Sequence, residues 1–318
     1  MSEVNAIKVP SSYDGPHLTF PLTRNQVVNM YKAFRARKRL HAKYVMQLLE
    51  EFYLHADGDF RTMMESTIEE GTTMTICGDT HGQWEDFCTI MDMNGLPSES
   101  NRVRVRWVQA RAVGVWLFHG GPDLSVDVWG VVTLVMMASQ YLYNGDFVDR
   151  GPCGVEITLL LFAFNLADPT CMMINRGNHE CYPQNFQYGF VDEVLTKYPA
   201  EWREKIFWGF QVRCALPWCT VSRASLLRFA LSSPAVLCDY TLFWFVRDKF
   251  NLPQRAFKAL PLCTVLSGRV FVCHGGLFRS HGVTLNQIQA VDVRCARGCA
   301  RYRPLELTSC ACATPAST

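Results

Sequence analysis

The chain lacks any run of about 18 to 20 apolar residues, the length that a helix needs to cross a bilayer. Its longest apolar stretches, 126–138 and 226–246, are interrupted by charged residues. The first ten residues also lack the basic and then apolar pattern of a secretory signal peptide. We therefore expect a chain of the cytoplasm or the nucleus, without a membrane partner.

An excess of charge of one sign is equally absent. The 31 Lys and Arg residues nearly balance the 29 Asp and Glu residues, which leaves a formal net charge of +2. Nucleic-acid binding through phosphate contacts needs clustered, uncompensated basic residues. We therefore expect no nucleic-acid partner.

Cysteine, in contrast, is abundant, with 14 residues. Disulfide-rich scaffolds are secreted proteins, and without a signal peptide we expect reduced thiols instead. Four of these residues crowd the C-terminal tail: Cys295, Cys299, Cys310 and Cys312. Their spacing matches no familiar zinc finger, so we predict no zinc site there.

Hydrophobic periodicity predicts an α/β fold. A chain of 318 residues that is 49% hydrophobic can bury one large core or two modest ones. The predicted helices are 23–37, 40–52, 87–93 and 155–166. The predicted strands are 74–77, 141–143, 171–174 and 269–273. Each strand precedes a turn rich in glycine and polar residues, and such strand ends are where ligands gather in α/β proteins.

Four motifs occupy those turns. In chain order they are Gly78-Asp79-Thr80-His81-Gly82, Gly145-Asp146-Phe147-Val148-Asp149-Arg150-Gly151, Gly177-Asn178-His179-Glu180 and His274-Gly275-Gly276. Each offers carboxylate, amide or imidazole groups on a turn that contains glycine. One Asp-x-His alone would be weak evidence, but all four in this order predict a two-metal phosphoesterase.

The residue types suit a pair of divalent ions. Two ions about 3.5–4 Å apart can share a hydroxide, lower its pKa and hold a phosphate for in-line attack. Oxygen and imidazole ligands suit Mn, Fe or Zn, without choosing among them. Asp79 and His81 can face one ion from a single turn, and Asp146 can bridge two ions. His179 then stays free as a general acid, with Asp149 to fix its tautomer.

Three further side chains complete the predicted site. Asn178 can supply an amide oxygen, and His274 can supply an imidazole. The planar guanidinium of Arg150 can bind two phosphate oxygens at once.

Each of these residues also has an ordinary interpretation. Aspartates are common in turns, and His81 or His179 taken alone could be a surface histidine. For all of them to be ordinary, the glycines, the ligand types and the preceding strands would have to coincide by accident. The motif-like His119-Gly120-Gly121 stands before the second motif, and we interpret it as unrelated. The remaining histidines are predicted to be structural: His17, His41, His55 and His281.

At these motifs the chain resembles the PPP family of serine/threonine protein phosphatases. The similarity continues through the stretches 13–16, 38–41, 77–83, 94–99, 274–278 and 282–285. It implies a calcineurin-like metallophosphoesterase fold, an α/β structure with a β-sandwich flanked by helices and a dimetal site at one sandwich edge. It also implies metal-dependent hydrolysis of phosphoserine and phosphothreonine in phosphoprotein substrates.

By the same resemblance, five residues hold two ions. Asp79, His81 and Asp146 would hold one ion. Asp146, Asn178 and His274 would hold the other.

The resemblance also implies the catalytic roles. His179, paired with Asp149, would protonate the leaving oxygen, and Arg150 would bind the substrate phosphate. Tetratricopeptide repeats, which accompany some members of the family, are not expected in this chain.

Three segments depart from the family pattern: 103–140, 212–254 and 293–318. Removing the internal two restores the family register, so we predict a metallophosphatase domain over 1–292, interrupted twice, and a non-family tail. Each segment begins with Val-Arg, and both internal ones end in Gln. Splice-donor and splice-acceptor sequences read in frame encode these residues. Our hypothesis is that the segments are translated introns, and the alternative is lineage-specific insertion.

The C-terminal third of the family domain has no counterpart in this sequence. In the family it adds a histidine to the second ion, and an arginine and a tyrosine to the phosphate pocket. We therefore expect this chain to be poorly active or inactive. Two alternatives stay open: another two-metal phosphoesterase acting on nucleotides or nucleic acid, and a truncated product that binds partners without turnover.

Overall fold

The computed structural model describes residues 2–58, 61–68, 74–97, 140–210, 256–276 and 282–291. The predictions for segments 103–140, 212–254 and 293–318 concern residues outside these ranges, except for Gln140. His119, His281 and the four tail cysteines lie outside them as well.

The described residues form helices and short strands. The helices are α1 (Ser2–Asn5), α2 (Arg24–Arg35), α3 (Ala42–Gly58), α4 (Trp84–Asn94), α5 (Gly154–Ala167), α6 (Tyr182–Tyr188), α7 (Phe190–Lys197), α8 (Arg203–Phe210) and α9 (Leu285–Gln289). The strands are β1 (Met63–Ser66), β2 (Met74–Cys77), β3 (Gln140–Tyr143), β4 (Met172–Ile174), β5 (Cys263–Leu266) and β6 (Val270–Cys273). A short 3-10 helix spans Ala256–Ala259.

The described strands form two three-stranded sheets. In one sheet β2, β3 and β4 are parallel, with β3 in the centre. In the other, β5 pairs in parallel with β1 and antiparallel with β6. Because β2, β3 and β4 run in the same direction, their carboxyl ends meet at one edge, where the first three motifs begin.

The two sheets pack face to face between layers of helices. Side chains alternate along β3: Tyr141 and Tyr143 belong to the core under the helices, and Leu142 packs with Leu266 and Val272 of the other sheet. Helix α9 covers the outer face of that second sheet. The predicted α/β sandwich flanked by helices is therefore confirmed.

Helix α5 lies at the centre of the main helical layer. Ten of its 14 residues are buried, as expected for a helix that is apolar on every side. Helices α2 and α3 pack against it, and the ring of Phe52 stacks on that of Phe162 with centroids 3.7 Å apart. The N-terminal helices are thus part of the same core as the sheet. Within the described ranges, no helix has the length and apolar character required to span a bilayer.

A buried polar bridge joins the two sheets beside the motifs. The Asn175 amide donates to Oδ1 of Asn144 at 2.9 Å and to the carbonyl of Val272 at 3.2 Å. Its own oxygen accepts from the Thr264 hydroxyl at 2.7 Å. The Asn144 amide donates to the carbonyl of Cys273 at 3.0 Å. The bridge therefore fixes the loops after β3 and β4 against β6, the strand that leads to the fourth motif.

Candidate metal centre and active site

The structure brings all four motifs to one edge of the sandwich. The loops after β2 and β3 are joined because the N–H groups of Thr80 and His81 donate to the carbonyl of Asp146 at 3.1 and 2.9 Å. The loops after β3 and β4 are in close contact: a Cβ on Gly145 would lie 2.3 Å from the nitrogen of Gly177. Only glycine allows this approach, which explains why that motif begins with one.

Three imidazoles in the site share one orientation. Each Nδ1 faces an oxygen that can only accept, so Nδ1 carries a proton and Nε2 is the nitrogen directed into the site. The pairs are His81 Nδ1 with the Val148 carbonyl at 3.0 Å, His274 Nδ1 with the Asn144 carbonyl at 2.7 Å, and His179 Nδ1 with Asp149 Oδ2 at 2.8 Å. The rings of His81 and His179 meet edge to face, with centroids 4.7 Å apart.

The carboxylate of Asp146 lies between these imidazoles. Its Oδ2 is 3.2 Å from Nε2 of His274, 3.8 Å from Nε2 of His81 and 4.0 Å from Nε2 of His179. Its Oδ1 accepts a hydrogen bond from the backbone N–H of His179 at 2.8 Å. One carboxylate oxygen is thus fixed by the protein, and the other is available between groups that can each reach an ion.

Asp79 and Asn178 complete the group of predicted ligands. The two Asp79 oxygens lie 3.9 Å from His81 Nε2 and 3.9 Å from His274 Nδ1. The side-chain oxygen of Asn178 lies 3.0 Å from His274 Nε2. The structure therefore brings together all five residues that the sequence nominated as ligands.

This donor set fits a pair of divalent ions. Ligand atoms of His81, Asp146 and His179 lie within 4.8 Å of one another, as do those of Asp79, Asp146 and His274. An imidazole whose Nδ1 proton is held by a protein oxygen is the form that ligates metals through Nε2. The grouping differs from the one implied by the resemblance, which joins Asp79 with His81 and reserves His179 for proton transfer. The assignment of each residue to one ion stays a prediction.

The electrostatics of the site follow from burial and short ion pairs. Burial works to lower the pKa of His274, but the hydrogen bond to Asp146 and the charges of Asp146, Glu180 and Asp79 together outweigh it and raise that pKa to about 9. Burial works to raise the pKa of Asp146, but the hydrogen bonds and charges of His274 and His179 together outweigh it and lower that pKa. Burial and then the charge of Asp146 raise the pKa of Asp79. A cation bound here would displace the His274 proton.

Asp149 holds His179 from the protein side. Its carboxylate is fully buried and also accepts from the Asn185 amide at 3.1 Å and from the Phe190 N–H at 2.9 Å. Burial works to lower the pKa of His179, but the hydrogen bond to Asp149 and the charge of Asp146 outweigh it and raise that pKa. A raised pKa favours the protonated imidazole, which is the form that a general acid requires.

Arg150 lies at the exposed rim of the site. It and Asp149 adopt left-handed backbone conformations, with φ of 65° and 67°. Its N–H donates to the carbonyl of Tyr188 at 2.9 Å, and its guanidinium carbon lies 6.0 Å from the centroid of the Tyr188 ring. The same ring lies 5.0 Å from that of His179. The guanidinium is therefore held near the imidazole proposed as the acid.

Glu180 and Asn185 are buried residues of the site for which the sequence predicted no role. Glu180 belongs to the third motif, but nothing in its spacing showed what its carboxylate contacts. Burial and then the charge of Asp146 raise the pKa of Glu180 to about 7. Asn185 binds both Asp149 and the His179 carbonyl, the latter at 2.6 Å, and no sequence signal marked it.

Comparison with known proteins identifies the class. A family model described as calcineurin-like phosphoesterase matches residues 72–302. That match covers more than half of the chain, so the chain belongs to the calcineurin-like phosphoesterase family. A second model, described as the PPP5 TPR repeat region, matches residues 1–58. We expected no tetratricopeptide repeats in this chain, and the match of residues 1–58 to a model of this description contradicts that expectation. The matched segment contributes α2 and α3 to the core.

The relatives with which the chain aligns are serine/threonine phosphatases. It is 29% identical over 292 residues to serine/threonine-protein phosphatase T of Aspergillus oryzae, covering 91% of this chain and 43% of the relative. It is 28% identical over 291 residues to human serine/threonine-protein phosphatase 5, covering 91% and 41%. It is 36% identical over 220 residues to human serine/threonine-protein phosphatase with EF-hands 2, covering 69% and 24%. The predicted resemblance to these phosphatases is confirmed, although the chain spans less than half the length of each.

Proposed function

We propose that this chain hydrolyses phosphoserine and phosphothreonine esters in proteins with two divalent ions, at a reduced rate. The observation that carries the proposal is the set of three imidazoles whose Nε2 atoms face one buried carboxylate, that of Asp146. The phosphatase relatives support the same substrate class.

Five residues would hold the ions. Asp79, His81 and Asp146 are proposed for one ion, and Asp146, Asn178 and His274 for the other. When bound, ions such as Mn, Fe or Zn supply positive charge to the phosphate oxygens and lower the pKa of the attacking water.

The remaining residues act on the substrate. The guanidinium of Arg150 binds two phosphate oxygens and orients the ester. His179 donates its Nε2 proton to the serine or threonine oxygen as the ester bond breaks. The buried carboxylate of Asp149 keeps the ring in place and stabilises its charged form before that transfer.

We propose the reduced rate because the described residues provide few metal ligands and few phosphate-binding groups at the site. There, the second ion has three proposed protein ligands, and the phosphate has one proposed guanidinium. Changes in residues that only support a ligand lower affinity or activity about 10–100-fold. A missing direct ligand is expected to lower it further.

The test is turnover of a phosphoserine peptide by the whole chain with added Mn²⁺. We expect slow release of phosphate that EDTA and Asp146→Asn both abolish, while Asp92→Asn, on the exposed end of α4, leaves it unchanged. Absence of turnover with two ions bound would contradict hydrolysis. A rate equal to that of a full-length phosphatase 5 assayed alongside would contradict the reduction. Preferred turnover of a nucleotide or an RNA would favour the other phosphoesterase reading.

A second candidate is a product that binds partners without turnover, favoured by the same sparse ligand set. Metal stoichiometry separates the two. Two ions per chain support the enzyme, and one or none supports the non-catalytic product.

A further inference from the structure

Glu180 is the one acidic side chain of the motifs that the proposed function does not use. It has no solvent exposure. Its Oε2 accepts from the N–H of Asp146 at 2.8 Å and of Gly177 at 2.7 Å, and its Oε1 accepts from the N–H of Phe147 at 3.0 Å. One carboxylate therefore joins the loop after β3 to the loop after β4.

The backbone that Glu180 holds is strained. Asp146 adopts a left-handed conformation with φ of 52°, directly after Gly145 with φ of 84°. A residue with a side chain keeps this conformation only where its surroundings enforce it. Here the N–H of Asp146 is held by Glu180, and its carbonyl is held by the N–H groups of the loop after β2.

The backbone conformation of Asp146 also affects the predicted metal site. The conformation of the Asp146 backbone determines where its carboxylate lies, and Oδ2 of that carboxylate faces all three imidazoles. The contact is also close: a Cβ on Gly177 would lie 2.7 Å from Glu180 Oε2. The Glu180 carboxylate therefore holds the loops after β3 and β4 together, and the loop after β2 joins them through the carbonyl of Asp146.

We propose that Glu180 is a positioning residue that presets the bridging carboxylate of Asp146 for metal binding, an inference that rests on the proposed two-metal site. Its carboxylate does not touch an ion. It lowers the reorganisation that the loops must undergo when ions bind, and so raises metal affinity.

A carboxylate elsewhere in the fold provides a matched control. Glu193 is also buried and also accepts from backbone N–H groups, those of Gly154 at 3.1 Å and Val155 at 2.8 Å. It belongs to α7, binds the first backbone N–H groups of α5 and the ammonium of Lys197, and none of these partners is a predicted metal ligand. A purely structural role for Glu180 predicts that Glu180→Gln and Glu193→Gln have equivalent effects.

The experiment measures Mn²⁺ binding to the whole chain by calorimetry, together with urea unfolding of the EDTA-treated proteins. We expect both variants to unfold at lower urea concentrations and only E180Q to bind Mn²⁺ about 10-fold or more weakly. E180D, which keeps the charge but shortens the side chain, should fall between E180Q and the wild type, and it carries the test if E180Q does not fold.

Three results would overturn the inference: E180Q or E180D binding within twofold of the wild type, equal weakening by E193Q, or a wild-type chain that binds no Mn²⁺. Phosphatase activity is a separate readout. Wild-type chain that binds Mn²⁺ but hydrolyses no phosphopeptide would contradict the proposed function and leave the positioning role of Glu180 intact.

Discussion

Phe210 and Phe257 pack ring against ring with centroids 5.6 Å apart, although residues 211–256 stand between them in the sequence. Both side chains are fully buried. Phe190 contacts both, with centroid distances of 5.2 and 5.8 Å. The described core residues on the two sides of segment 212–254 are therefore neighbours in space.

Deletion of 212–254 should leave the core intact. Joining Gln211 to Arg255 puts four peptide units between Phe210 and Phe257, which can reach about 13 Å. We expect the deleted chain to unfold in urea at the same midpoint as the parent, or higher. A deletion that also removes 255–257 takes a buried aromatic ring from the core and should lose about 3–5 kcal/mol of stability. Loss of near-ultraviolet circular dichroism in the shorter deletion would contradict the prediction.

The mature transcript provides an independent check on all three departing segments. If they are translated introns, the mature message lacks the codons for all three segments, 103–140, 212–254 and 293–318. Sequencing the message measures this directly. A message that retains the segments, together with a matching peptide by mass spectrometry, would support insertion instead.

The Asn175 bridge is expected to be the main polar support between the sheets. Asn175→Ala removes the partner of Asn144 Oδ1 and of the Thr264 hydroxyl in a buried setting, and each buried group without a partner costs about 1–3 kcal/mol. We expect a loss of about 3 kcal/mol or more in the free energy of unfolding, measured with urea. Asn165→Ala is the control, because that half-buried amide makes one hydrogen bond, to the Met172 carbonyl, and should lose about 1 kcal/mol. Equal losses would contradict the special role of the bridge.

The sequence predicted the strands that carry motifs because each combines a short apolar run with a glycine-containing turn. This pattern located β2, β3, β4 and β6. It missed β1 and β5, whose parallel pairing joins residues 63–66 to 263–266. No local pattern shows a pairing between such distant positions, so the two-sheet arrangement had to come from the resemblance.

The residues of the candidate site likewise fall into those that could be predicted from the sequence and those that could not. Side chains that ligate, donate or accept protons have recognisable types, so Asp79, His81, Asp146 and their companions could be nominated from the motifs. Glu180 and Asn185 act on backbone groups of other loops. Backbone N–H and carbonyl groups are common to nearly all residue types. The sequence therefore gives no sign of which backbone groups these two side chains bind.

The contribution of His41 to the stability of the chain should fall in mild acid. This residue lies directly before α3, and its Nδ1 accepts from the N–H of Lys43 at 3.2 Å, which requires an unprotonated nitrogen. Burial, then the charges of Lys43 and His17, lower the pKa of His41 from its ordinary 6.5. The unfolded chain therefore takes up a proton more readily than the folded chain, and the free energy of unfolding decreases as the pH falls through 6.5.

His41→Asn isolates this effect, because asparagine caps a helix without titrating. Urea unfolding should show that the free energy of unfolding of the wild type, taken relative to that of H41N, is smaller at about pH 5.5 than at about pH 8. His55→Asn, at the exposed end of α3, should follow the wild type. Equal pH dependence in H41N and the wild type would contradict the assignment.

Arg150 is expected to bind phosphate through its planar pair of donors. Hydrogen bonds to charged groups contribute about 1.5–3 kcal/mol, so Arg150→Ala should weaken binding of inorganic phosphate to the Mn²⁺-loaded chain about 10- to 100-fold. Arg150→Lys keeps the charge but loses the fork and should recover only part of the affinity. Arg35→Ala removes a guanidinium that pairs with Asp92 on the surface and should leave phosphate binding unchanged. Calorimetry of phosphate and Mn²⁺ binding separates the roles, because Mn²⁺ affinity should stay the same in all three variants. Unchanged phosphate affinity in R150A would remove Arg150 from the proposed site.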